Sequence, residues 1–222
     1  MRSRLWLPVA IVVSGAWLAG IVLWTAVFPE HLFGGGWYLL SMPLGAGALV
    51  PVVIARDAIA LVVHPSSSVN DLTAAQVKGI FSGVVTDWSE VGGPPGKIHV
   101  VSREEGSGTR SAFDELVMKG AQVLPRAIIQ DSNGAVRQTV AQDKMGFGYI
   151  SLGLVDQSVK AVAVNGVQPT VGNCRAGTYT LVRPFIFASD GPLSPDAKAF
   201  VDYVLGDFGQ TILKGEGLIP PR

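Results

Sequence analysis

Only one cysteine, Cys174, stands in the 222 residues. No intrachain disulfide, cysteine-based zinc cluster or dithiol couple can therefore be assembled. The three histidines, His31, His64 and His99, are scattered without metal-ligand spacing, which argues against a metal site. Charge is also scarce: charged residues make up 15% of the chain, and 17 Lys and Arg balance 17 Asp and Glu. That balance gives no electrostatic push toward nucleic acid or an acidic membrane face. No repeat of 20–50 residues is visible. No glycine-rich stretch ends in Gly-Lys-Ser/Thr, so a nucleotide P-loop is not supported. In place of charge there is apolar surface, with a mean hydropathy of +0.39. Much of it lies in the first 54 residues; the length allows one ordinary domain or two small lobes.

From Leu5 to Phe28 no residue is charged, and Arg2 and Arg4 stand just before the stretch. As a helix it would rise about 36 Å, enough to cross a hydrocarbon core of about 30 Å. Trp6 and Trp24 lie near its two ends, and the basic flank holds the amino end in the cytoplasm. Residues 1–28 are therefore expected to be a transmembrane anchor with the remainder extracytoplasmic. The competing reading is a cleaved secretory signal, for which Thr25-Ala26-Val27 is a poor cleavage site. Residues 29–54 form an apolar connector in which Pro43, Pro51 and several glycines oppose a regular spanning helix. A re-entrant segment or a strand approaching the globular part both fit it.

Residues 55–222 read as an α/β domain. Ile59–Val63 is a buried strand, and Thr73 with Gln76 has the capping-box spacing for a helix to about Phe81. Strands are expected at Ile98–Ser102, Gly146–Ile150 and Ala161–Val164, with an extended run at Thr178–Ala188. Helices follow Gly106, Ser132 and Asp207. Ser194 and Pro195 open another, with Ala197, Phe200, Val201, Val204 and Leu205 forming one stripe. Strands alternating with helices predict a largely parallel sheet.

The chemistry concentrates in Ser102-Arg103-Glu104-Glu105-Gly106-Ser107-Gly108-Thr109-Arg110, between a strand and a helix. α/β sheets hold ligands at such carboxyl ends, where free N–H groups and the helix dipole favour an anion. Gly106 and Gly108 allow close backbone approach. Ser107 and Thr109 offer hydroxyls, and Arg103 can pair bidentately with two oxygens of a tetrahedral anion. A plain capped turn has the same Gly-Ser-Gly-Thr composition. Glu104 and Glu105, adjacent on a loop, read as solvated carboxylates. Arg110 reads as a surface or ion-pair residue, Asp57 as structural, Ser132-Asn133-Gly134 as a simple cap, and Trp88 and Tyr149 as packing.

The arrangement Arg103-x-x-x-Ser107-Gly108-Thr109 resembles the ligand motif of the phosphate-binding proteins of ABC importers. Further stretches agree in order: Ile54–Val63 resembles the family's crossover strand, and Leu72-Thr73 through Gly83 with Asp87–Gly93 resembles the segment after it. Gly146-Phe147-Gly148-Tyr149-Ile150 is similar to its Gly-x-Gly-Tyr strand. Tyr179–Pro184 and Ala199-Phe200 through Gly217-Leu218-Ile219-Pro220 resemble its carboxyl end.

The resemblance implies a periplasmic-binding-protein-like fold: one near-complete α/β lobe (64–177, lobe 2) and a partial second lobe (178–222, the carboxyl-terminal part of lobe 1). It implies an oxyanion ligand on Arg103, Ser107, Gly108 and Thr109, no catalysis and no cofactor, and an ABC permease as partner. The family's opening strand, its Gly-Ser-Thr-type loop and a Ser and an Asp beyond it have no counterpart in the first 50 residues. Half of the usual ligand shell is thus not matched, binding is expected to be weak unless another chain completes the lobe, and the Phe200 stripe is left short of partners. The alternative is a non-transporting sensor or interaction module, or a truncated fragment, that keeps the fold without tight anion binding.

Overall fold

The computed structural model describes residues 49–221. The expected anchor over 1–28 and most of the 29–54 connector lie outside the described residues. Within them, no helix is long and apolar enough to cross a membrane.

A single long strand, β1 (Leu49–Val63), organises everything else. It begins six residues before the boundary expected from sequence, so the end of the apolar connector is sheet. Its second half alternates between two cores: Ile59, Leu61 and Val63 face one hydrophobic cluster, while Ala60 and Val62 face another. That period-two alternation is what a strand covered on both faces requires.

The remaining strands are β2 (Asp71–Leu72), β3 (His99–Arg103), β4 (Ile128–Gln130), β5 (Gly146–Ser151), β6 (Lys160–Val164) and β7 (Val182–Asp190). Their order is β2-β6-β1-β5-β3-β4, with β7 paired to β1 alone. β3 is parallel to β4 and β5, and β2 to β6, whereas β1 is antiparallel to β5, β6 and β7. Six strands therefore share one direction and the central β1 opposes them. The expectation of a largely parallel sheet is corrected here to a mixed one. Helical crossovers force parallel pairing only between the strands they connect, here β3, β4 and β5. They say nothing about a strand that turns back through a short loop, as β1 does at His64–Asn70.

β1 is also divided lengthwise. Leu49–Ala58 pairs with β7, through an irregularity between Val53 and Ala55, and Ile59–Val63 pairs with β5 and β6. Helices α1 (Ala74–Ser82) and α2 (Gly108–Phe113, continued by a π turn over Asp114–Met118) cover one face of the larger part. Helix α3 (Asn133–Gln142) covers the other. The capping box at α1 forms as expected: Gln76 N–H donates to Thr73 Oγ1, and Thr73 N–H donates to Gln76 Oε1. A stacked aromatic pair, Phe113 on Tyr149 at 4.1 Å, joins Phe81 in an aromatic cluster within the core.

A short helix α4 (Val171–Arg175) leads to β7, followed by α5 (Pro195–Leu205) and α6 (Asp207–Gly215). The Phe200 stripe, expected to lack partners, finds them on the first half of β1 and on β7. The Phe200 ring lies tilted against Phe187, centroids 5.7 Å apart, in a cluster with Val52, Ile54 and Val201. Tyr203, Phe208 and Ile212 on the outer side remain more than half or half exposed.

Candidate anion site

Strand β3 ends at Arg103, and the chain turns through Gly106 at a φ of 90°, a left-handed conformation suited to glycine, before α2 begins. Ser107 caps α2, its Oγ accepting from Arg110 N–H at 3.3 Å. The N–H groups of Gly108 and Thr109, at the first two helical positions, have no intrahelical acceptor. No other backbone carbonyl among the described residues takes them. Ser107 and Thr109 are buried, and Gly108 is half-buried beside them.

Arg103 is 2% exposed. The bidentate fork assigned from sequence to two oxygens of an anion is taken by a neighbour: Nε and Nη2 each donate to Glu104 at 2.9 Å. Nη2 also donates to the Asp131 carbonyl at 3.2 Å. One nitrogen, Nη1, is buried with no hydrogen-bond partner. A buried guanidinium N–H left unpaired costs about 1–3 kcal/mol or more, which a bound acceptor removes. Glu104 is therefore not a free solvated carboxylate, while Glu105 is exposed. Burial alone would raise the Glu104 pKa, but its hydrogen bonds from and attraction to Arg103 outweigh that and leave it below the ordinary range. At neutral pH the Arg103–Glu104 pair is consequently ionised and has no net charge.

The strand itself is held from the other face. The Tyr149 hydroxyl accepts from Arg103 N–H at 3.3 Å and shares a hydrogen bond with Ser102 Oγ at 2.9 Å. Burial keeps that phenol above its ordinary value, so it stays a neutral hydrogen-bonding group. Arg110 points back: its Nη1 donates to the Arg103 carbonyl at 2.9 Å and its Nε lies 3.5 Å from Asp114, the ion-pair duty expected of it.

A second cation was not legible in the sequence. Arg183 on β7 holds the buried Asp57 of β1, Nε and Nη2 lying 3.2 and 2.9 Å from Oδ2. Ser151 at the end of β5 donates to the other oxygen at 2.5 Å. The same Arg183 Nη2 reaches Thr109 Oγ1 at 3.3 Å, and Nη1 lies 3.0 Å from where a Cβ on Gly108 would stand. Asp57 is thus structural, as read from sequence, but its partner touches the anion loop. Only the position of β7 against β1 reveals this. Trp88, buried, donates Nε1–H to the Met145 carbonyl at 3.2 Å, and Cys174 is buried. Among the described residues no group of three or more His, Cys, Asp or Glu could hold a metal ion.

The structure is thus an α/β body built on one shared strand, with a helix start that carries unused N–H groups and a buried arginine at the carboxyl end of β3. The chain belongs to the PBP superfamily, whose domain model matches residues 43–207. It is 32% identical over 179 residues to the phosphate-binding protein PstS of Bacillus subtilis, covering 80% of this chain and 59% of that protein. Over 152 residues it is 38% identical to phosphate-binding protein PstS 2 of Streptococcus agalactiae, covering 64% of this chain and 51% of that one. The chain thus spans little more than half the length of these curated relatives. Among solved structures, a substrate-binding protein from Clostridium perfringens with bound phosphate aligns at a TM-score of 0.71 and 41% identity, covering 78% of this chain and 72% of that one. An ABC-type phosphate transport receptor from Vibrio cholerae aligns at 0.72 and 34%, covering 78% and 73%.

Proposed function

We propose that this chain is an extracytoplasmic, non-enzymatic binding protein for phosphate or a similar tetrahedral oxyanion, held at the membrane by residues 1–28 and serving an ABC importer. The anion sits on Arg103 Nη1, the hydroxyls of Ser107 and Thr109, and the free N–H groups of Gly108 and Thr109. The observation that carries this reading is the orphaned, buried Arg103 Nη1 beside a helix start with unused donors. Residues 64–177 act as one lobe and 178–222 as part of the other. The switch of β1 from β7 to β5 and β6 after Ala58 is where the two parts meet. Both pairs of charges at the site, Arg103–Glu104 and Arg183–Asp57, are internally neutral, so attraction comes from aimed donors more than from net charge.

Titration calorimetry of the folded chain with phosphate, sulfate and chloride tests the proposal. Saturable heat with phosphate, abolished by Arg103→Ala, supports it; no heat from folded protein up to several millimolar removes it. A second reading, an interaction module that has given up tight anion binding, draws on the exposed Tyr203, Phe208 and Ile212 along α5 and α6. Lack of anion binding would favour it.

A further inference from the structure

Arg183 has a donor to spare, and that donor stands at the loop that opens α2. The residue lies opposite Asp57 in the β1–β7 ladder, which fixes its backbone. Three contacts hold its side chain. Nε and Nη2 donate to Asp57 Oδ2 at 3.2 and 2.9 Å, and Nη2 also donates to Thr109 Oγ1 at 3.3 Å. The guanidinium carbon sits over the Phe185 ring, 5.2 Å from its centroid. Nη1, by contrast, donates to no atom of the described residues.

That idle nitrogen lies 3.0 Å from where a Cβ on Gly108 would stand. Apart from the helix backbone and the chain neighbours of Gly108, it is the one described atom within 4 Å of that point. No side chain at 108 screens the guanidinium from the loop, and 16% of the Arg183 side chain is exposed, so the donor is open to a solute. An ion pair with Asp57 alone uses Nε and Nη2 and gives no reason for the third nitrogen to rest on the loop. The same pair holds the guanidinium in place before a ligand arrives, so aiming Nη1 costs no reorganisation.

We propose that Arg183 is a direct ligand of the anion, donating through Nη1 to an oxygen held at Gly108 and Thr109. The inference rests on the anion reading of the site. It adds a second cationic donor, supplied by β7 where Arg103 is supplied by β3. One guanidinium then has two duties, Nη2 orienting the Thr109 hydroxyl while Nη1 reaches the ligand. The contact asks of that ligand only an unprotonated oxygen, so inorganic phosphate is a sufficient probe.

The test is a double-mutant cycle in the full 222-residue chain in mild detergent, read by calorimetric titration with inorganic phosphate. A residue that acts only by orienting Thr109 has nothing left to do once that hydroxyl is gone; a direct ligand still does. Thr109→Val is expected to weaken phosphate binding about three- to tenfold, and Arg183→Gln about ten- to a hundredfold. On the Thr109→Val background, Arg183→Gln should still cost about tenfold or more. No further loss on that background makes Arg183 a positioning residue and overturns the proposal. Because Arg183→Gln strands the buried Asp57, Asp57→Asn/Arg183→Gln and Arg183→Lys are carried through the same cycle, neither leaving an uncompensated carboxylate. Arg183→Lys, which keeps the charge without the fork, should fall between the wild type and Arg183→Gln. Phosphate binding of wild-type strength in Asp57→Asn/Arg183→Gln, while Arg103→Ala loses it, overturns the proposal and leaves the anion site standing. If Arg103→Ala binds phosphate like the wild type, or the folded wild type binds none, the anion reading fails and this inference with it.

Discussion

Arg183 Nη2 lies 3.3 Å from Thr109 Oγ1, joining the strand that closes the sheet to the loop that receives the anion. A donor pointed at that oxygen occupies one of its lone pairs. The hydroxyl proton is thereby left to point elsewhere, toward a ligand on the helix start. Arg183→Lys keeps a cation for Asp57 but has one nitrogen where two branches are used. We expect phosphate affinity to fall about three- to tenfold, the worth of one neutral hydrogen bond. Calorimetry checks it, and an unchanged dissociation constant would remove Arg183 from the site.

Arg103→Ala deletes the orphan donor, and a hydrogen bond from a charged group is worth about 1.5–3 kcal/mol. Phosphate should bind about ten- to a hundredfold more weakly, with the far-ultraviolet circular dichroism of the wild type retained.

Glu104 occupies the fork of Arg103, so Glu104→Gln should strengthen phosphate binding several-fold at neutral pH by leaving the guanidinium uncompensated. The acid limb changes too. Because the folded pKa of Glu104 is depressed, its contribution to stability is present above the ordinary glutamate value of 4.5 and is lost as pH falls through the lower folded value. Urea unfolding across that acidic range should therefore show a shallower loss of stability in the variant than in the wild type.

Gly108→Ala places a Cβ 3.0 Å from Arg183 Nη1. Asp57 restrains that guanidinium, so it cannot swing away freely. The expected outcome is weaker phosphate binding with a stability change within about 1–3 kcal/mol, the usual span for a local overpacking. Parallel calorimetric and urea titrations separate the two effects.

Phe113→Ala removes one ring of the stack on Tyr149, whose hydroxyl supports the Arg103 backbone. A loss of about 3–5 kcal/mol is expected, measured by urea denaturation. Phosphate affinity at temperatures where the variant stays folded should fall as well, since the same tyrosine positions the strand end.

Local signals carried most of the helices. Thr73 with Gln76, and Ser194 with Pro195, fix helix starts through contacts three residues apart, which any sequence displays. β2 and β4, at two and three residues, are too short to show a period, and α4 too short to show a stripe. The direction of β1 is set by partners 84 to 141 positions away, such as Ile59 with Ser151, Val63 with Phe147 and Leu49 with Asp190, so helix–strand alternation could not convey it. At the site, Arg103, Ser107 and Thr109 stand out because they lie within one seven-residue segment. Arg183 does not, being 74 residues from Thr109. Glu104 and Glu105 look alike on paper, and only the contact with buried Arg103 separates the paired carboxylate from the free one.

The long central strand also has a consequence in time. β1 is the first described element to leave a ribosome or a translocation channel, yet its partners arrive late: β5 after about a hundred residues, β7 near residue 190, and the Arg56–Ile219 bridge almost at the end. Closing loops that long costs entropy before any ladder hydrogen bond repays it, so assembly of this sheet is expected to be slow. During that interval an apolar strand waits with both edges open, the condition under which nascent chains pair with the wrong neighbour. A protein ordered this way depends for its yield on whatever shields residues 49–63 until the last helix has been made.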